Sequence, residues 1–153
     1  MAEPYFHDVN KAWLNTLQAA SRGRARIGDG DAFVRSVEVN FPVSPSGQIL
    51  WAQLPSARHF VRSASHEDVG LEELKRFFTD CLHDAQAADS DLFVTTGDGN
   101  IDVFIASASA IREALSVLLL EPNDVIVASL DGSWVFVVDE YDEAHFAFKR
   151  SSS

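Results

Sequence analysis

The chain has 153 residues, 46% hydrophobic and 23% charged, which suits one domain with a core of its own and excludes disorder over most of the length. Its formal net charge is −11, unevenly placed: residues 1–65 hold seven Lys/Arg against five Asp/Glu, and residues 66–153 hold five against eighteen. A field of this sign repels nucleic acid and anionic membrane and attracts basic surfaces, while the single cysteine, Cys81, excludes an internal disulfide.

Helix one is expected from about Asp8, its N-cap, because Val9, Ala12, Trp13, Thr16, Leu17 and Ala20 recur on one face of a 3.6-residue period. Gly23 reads as its stop, and Arg22 to Asp31 as an exposed loop. Strict alternation of Phe33, Arg35, Val37, Val39 and Phe41 predicts a strand. Turn formers from Pro42 to Gly47 and a second apolar run, Gln48–Leu54, complete a predicted hairpin. A short strand is expected within Ala57–Ser63.

Ser65-His66-Glu67-Asp68 has the form of a capping box. It opens helix two, whose stripe is Leu71, Leu74, Phe77, Phe78, Cys81, Leu82 and Ala85. Leu92–Thr95 and Ile101–Ile105 read as paired strands around Gly97-Asp98-Gly99-Asn100. Helix three runs from about Ser107 to Leu119, with Ile111, Leu115, Leu118 and Leu119 inward and Pro122 barring continuation. The last third reads as a meander: Val125–Leu130, a turn at Asp131-Gly132, a doubly covered strand Ser133–Asp139, and a half-exposed strand Ala144–Lys149. The expected fold is a single α+β domain over residues 1–153, with a mainly antiparallel sheet and three helices.

Between the last two strands stands Asp139-Glu140-Tyr141-Asp142-Glu143, four carboxylates in five residues. Such charges repel one another unless solvent or a partner screens them, so the segment is either a solvated turn or a patch for Lys and Arg, with Tyr141 as an aromatic anchor. Other motifs fall short of chemistry. Asp98-x-Asn100-x-Asp102 begins like a calcium loop, but Val103 and Ser109 stand where Gly and Glu are needed. Gly28-Asp29-Gly30 lacks the Lys-Ser or Lys-Thr of a phosphate loop. His7, His59, His66, His83 and His145 show no metal-ligand spacing, so neither a metal nor any other cofactor is expected. Cys81 sits on an inward stripe, and Ser133 lacks a nucleophile elbow. Arg22, Arg24 and Arg26 read as loop solvation or partners for the chain's own acids. The segment Met1–Tyr5 shows no secretory leader, and the longest aliphatic run, Val117–Leu120, is far short of the roughly 20 residues of a spanning helix, so a cytoplasmic protein is expected.

In general build the chain resembles a bacterial immunity protein of a polymorphic toxin system, of the contact-dependent growth inhibition type. The likeness lies in a small acidic α+β domain without a catalytic set, and in Asp131-Gly132-Ser133-Trp134-Val135-Phe136 leading into the acidic segment. It implies a non-enzymatic protein that binds and blocks the toxic C-terminal domain delivered by a neighbouring cell, often a nuclease with a basic cleft. The partner-binding residues expected on this basis are Asp131, Asp139, Glu140, Tyr141, Asp142 and Glu143. Two alternatives stand beside it: a metal-dependent hydrolase using Asp and His residues brought together by the fold, and an adaptor that recruits a basic partner without inhibiting it.

Overall fold

The computed structural model describes residues 4–45, 48–61, 67–96, 102–119, 124–139 and 143–149. In chain order the elements are α1 (Pro4–Ser21), β1 (Arg26–Ile27), α2 (Gly30–Asn40), β2 (Arg58–Val61), α3 (Glu67–Asp84), β3 (Asp91–Thr95), β4 (Phe104–Ser107), α4 (Ala108–Leu118), β5 (Val125–Ser129), β6 (Trp134–Val138) and β7 (Glu143–Phe148). The strands form one sheet in the order β1-β4-β3-β5-β6-β7-β2, antiparallel at every pairing. The fold is α+β, with four described helices where three are expected. No described helix is long and apolar enough to cross a membrane.

Both faces of the sheet are covered, which is why β6 is buried at all five positions. On one face α1, α3 and α4 bring Trp13, Leu17, Leu74, Phe78, Ile111 and Leu115 onto Leu92, Val94, Phe104, Val127, Phe136 and Phe146. On the other, α2 and the segment after it set Phe33, Phe41 and Leu54 against Phe93, Ala128, Val135, Val137 and Ala147. Each large apolar side chain taken fully out of water contributes about 1.5–3 kcal/mol.

The additional helix is α2, and it replaces the strand expected over residues 33–41. Phe33, Val37 and Phe41 are spaced by four, so they line one side of a strand and one side of a helix equally well. The local signal that decides is Asp29, whose carboxylate accepts the N–H groups of Asp31 (2.9 Å) and Ala32 (3.2 Å) as an N-cap. Arg35 and Val39, placed on the apolar side by alternation, face solvent; Val39 is 73% exposed. Among the described residues the hairpin expected with residues 48–54 is likewise absent: a single bridge joins Val43 to Ile49, and Trp51–Gln53 form one 3-10 turn.

Helix α1 begins at Pro4, so Asp8 lies inside it rather than capping it. Its end is near the expected one: Arg22 and Gly23 take positive φ, and the Gly23 N–H closes on Gln18 O at 2.7 Å. Helices α3 and α4 follow their predicted stripes, and Ser107 caps α4 by accepting the Ala110 N–H at 3.2 Å. The predicted strands within 57–63, 92–95, 101–105, 125–130, 133–139 and 144–149 are all present within a few residues. Ser65, His66, the 97–100 turn and Pro122 lie outside the described residues.

Candidate functional site

The acidic segment links β6 to β7, and its two ends are tied together. The Asp139 N–H donates to Glu143 O (2.9 Å), and Asp139 Oδ1 accepts the Glu143 N–H (3.0 Å). Asp139 Oδ2 lies 3.3 Å from His145 Nε2. Along β7, Ala144 and Phe146 point to the three-helix face, so the pleat turns His145 and Ala147 to the α2 face.

Strand β2 completes the arrangement. Its register sets His59 directly opposite His145 on the same face, and the rings stack at 4.8 Å and 22°. Trp51, from the 3-10 turn, also stacks with His145, at 5.0 Å and 15°. His59 Nε2 reaches Glu143 Oε2 at 3.5 Å. Four chemistry-bearing side chains from β2, β7 and the end of β6 therefore converge: His59, Glu143, His145 and Asp139. They form a graded site, with His145 and Asp139 18% and 23% exposed and His59 and Glu143 51% and 38% exposed. One ligand-type atom from each of His59, Glu143 and His145 lies within 4.8 Å of the others.

This convergence is the missing term in the sequence reading of the acidic segment. The two described carboxylates do not simply project into water; each has an imidazole beside it, which forms an ion pair when protonated. Glu140, Tyr141 and Asp142 lie outside the described residues. Asp131 lies at the opposite end of β6, about 17 Å away by the length of a five-residue strand. There it serves its own turn. Ser133 and Ser129 hydrogen-bond its carboxyl and hold it below the usual aspartate range, and its Oδ1 accepts the Ser133 N–H at 3.0 Å. A partner that touched both Asp131 and Glu143 would have to span that strand.

The remaining candidates have structural places. Asp29 is a helix cap, and Gly28 packs beneath Ile105, with its N–H on Val103 O at 2.7 Å. Asp102 gives its N–H to Asn10 Oδ1 at 2.8 Å. His83 is exposed at the end of α3. Cys81 is buried, and burial pushes its thiol up to about 12. Arg22, Arg24 and Arg26 are exposed. Two open depressions, of about 430 Å³ between α1 and α4 and about 320 Å³ between α2 and the β5–β6 turn, contain no histidine or cysteine.

The histidine and carboxylate cluster, on a half-exposed sheet face, is what a dispersed Asp/His site would require. The sequence does not reveal it, since His59 and His145 are 86 positions apart and meet only through the β2–β7 pairing. The one local hint is that each lies on a predicted strand. No family model matches this chain, and no curated protein matches it in sequence.

Proposed function

We propose that the chain is an acidic immunity-type protein that binds and neutralises the C-terminal toxin domain of a contact-dependent inhibition system, a basic domain such as a nuclease. The observation that supports this reading is the segregation of charge: residues 66–153 hold eighteen of the 23 acids. Among them Glu72, Asp80, Asp91, Asp102 and Glu113 are exposed, on α3, α4, the start of β3 and the segment before β4. A nuclease presents a basic cleft to phosphate, so an acidic inhibitor is steered into it quickly and competes for the same charges. Neutralisation needs an interface of at least about 1,200 Å² and an affinity on the order of nanomolar. The β6–β7 turn, with Tyr141 among its carboxylates, is the proposed centre of contact.

The test is association with the toxin domain encoded beside this protein, at low and high salt. Nanomolar binding whose on-rate falls steeply with salt is expected, with loss of toxin activity in the complex. Charge reversal belongs at Glu140 and Asp142, because Asp139 and Glu143 also close the turn. Unchanged binding by Glu140→Lys/Asp142→Lys would remove the turn from the interface. No binding at either salt would overturn the immunity reading, and binding without inhibition would leave an adaptor.

A further inference from the structure

We infer that His59, Glu143 and His145 form a binding site for a zinc-class transition-metal dication, held by two imidazoles and a carboxylate. Two imidazoles and one carboxylate are a zinc-type donor set, and imidazole favours Zn²⁺, Ni²⁺ or Cu²⁺ over the oxygen-seeking Mg²⁺ and Ca²⁺. The donor atoms are already close together. The three ligand atoms lie within 4.8 Å of one another. A tetrahedral ion with bonds of about 2.0–2.1 Å brings its ligand atoms to roughly 3.3 Å apart and lies in the plane of each imidazole, so binding requires the exposed His59 ring to turn out of its stack with His145.

The backbone beneath does not need to move. His59 and His145 are fixed opposite each other by the β2–β7 register, and stacking with Trp51 restrains the His145 ring. Asp139, 3.3 Å from His145 Nε2, is a positioning residue: a carboxylate beside a liganding imidazole fixes its orientation and tautomer. Three protein ligands leave a fourth position open, on the exposed side where His59 and Glu143 meet solvent. The ion would also offset negative charge at the ends of the acidic turn. The site stands on its own residues and does not depend on the immunity reading.

The experiment is calorimetric titration of the full chain with ZnCl2, MgCl2 and CoCl2, with thermal melting of the same samples. One equivalent of Zn²⁺ should bind and raise the melting temperature, Mg²⁺ should do neither, and Co²⁺ should show the intense visible absorption of a four-coordinate ion. His59→Ala is the primary variant, because a half-exposed edge residue can be truncated without loss of the fold. It should weaken Zn²⁺ binding well beyond the about 10–100-fold that loss of a supporting contact costs. Glu143→Gln should also weaken it and provides a second test if His145→Ala fails to fold. Asp139→Asn keeps an acceptor for the Glu143 N–H, so it should lower metal affinity about 10–100-fold while leaving the metal-free melting temperature near that of the parent. His83→Ala should bind as the parent does. Failure of Zn²⁺ to bind, or equal binding by His59→Ala and the parent, would overturn the site.

Discussion

Cys81 shows how far burial alone sets the chemistry of a residue. It is 1% exposed between α3 and the sheet, and desolvation moves its pKa from 9.0 to about 12 despite the opposing pull of Arg58. The folded state thus prefers the neutral thiol. That preference is fully present below about pH 9 and is lost as pH rises from 9 towards 12. Native protein at pH 8 should therefore resist iodoacetamide and react only after unfolding in denaturant, as read by mass spectrometry. Rapid native labelling would contradict the burial.

Arg58 is the opposite case, a charge kept at the surface. Its Nη1 lies 2.5 Å from Asp84 Oδ2, with the side chains 40% and 49% exposed, and its guanidinium sits 5.4 Å from the centre of the Phe146 ring. An exposed ion pair contributes about 0–1 kcal/mol, and a cation over an aromatic ring about 0.5–1 kcal/mol. Arg58→Ala should cost about 1 kcal/mol in urea denaturation. A loss several times larger would mean that the pair also holds α3 against β2.

At the scale of elements, α2 is the most instructive segment. If residues 33–41 were a strand, Val39 would share the apolar side with Phe33; in the helix it faces water. Val39→Glu should therefore change stability by no more than about 0.5 kcal/mol, whereas Phe33→Ala, which removes a ring packed edge-on to Phe93 at 5.6 Å, should cost about 3–5 kcal/mol. Equal damage from both would restore the strand. The β5–β6 turn lies against the same helix. Gly132 has φ +75°, and a Cβ there would collide with Ser36 Oγ and Asn40 Nδ2 on α2. Gly132→Ala should cost on the order of 1–3 kcal/mol, measured by thermal or chemical unfolding.

The same elements show what the sequence makes legible. Stripes at helical spacing placed α1, α3 and α4 because Leu, Phe and Ala recur there at offsets of three and four, which no strand satisfies. A continuous apolar run between turn signals placed β6, whose five residues are all apolar and all buried. Alternation misled at 33–41, where the deciding offset of four belongs to both periods. The acidic turn is legible as charge, but its histidines are not. They come from strands far apart in sequence, β2 and β7, and only the register of that long-range pairing sets them side by side.

For the whole molecule, the order β1-β4-β3-β5-β6-β7-β2 divides the sheet by origin. The five inner strands come from residues 91–148, and both edge strands from the first 61 residues. Strand β2 must pair with β7, the last of the described strands, and β1 with β4. Pairings so distant in sequence make for slow closure. On the ribosome the consequence is a matter of timing. The β2 segment emerges early yet has no partner strand until residues 143–148 have been synthesised, whereas β1 can pair once β4 has been made. A chain arrested before residue 143 should therefore leave its β2 segment open to protease while full-length protein does not. The stacked histidines then form when β7 pairs with β2, so their contact marks closure of that edge of the sheet.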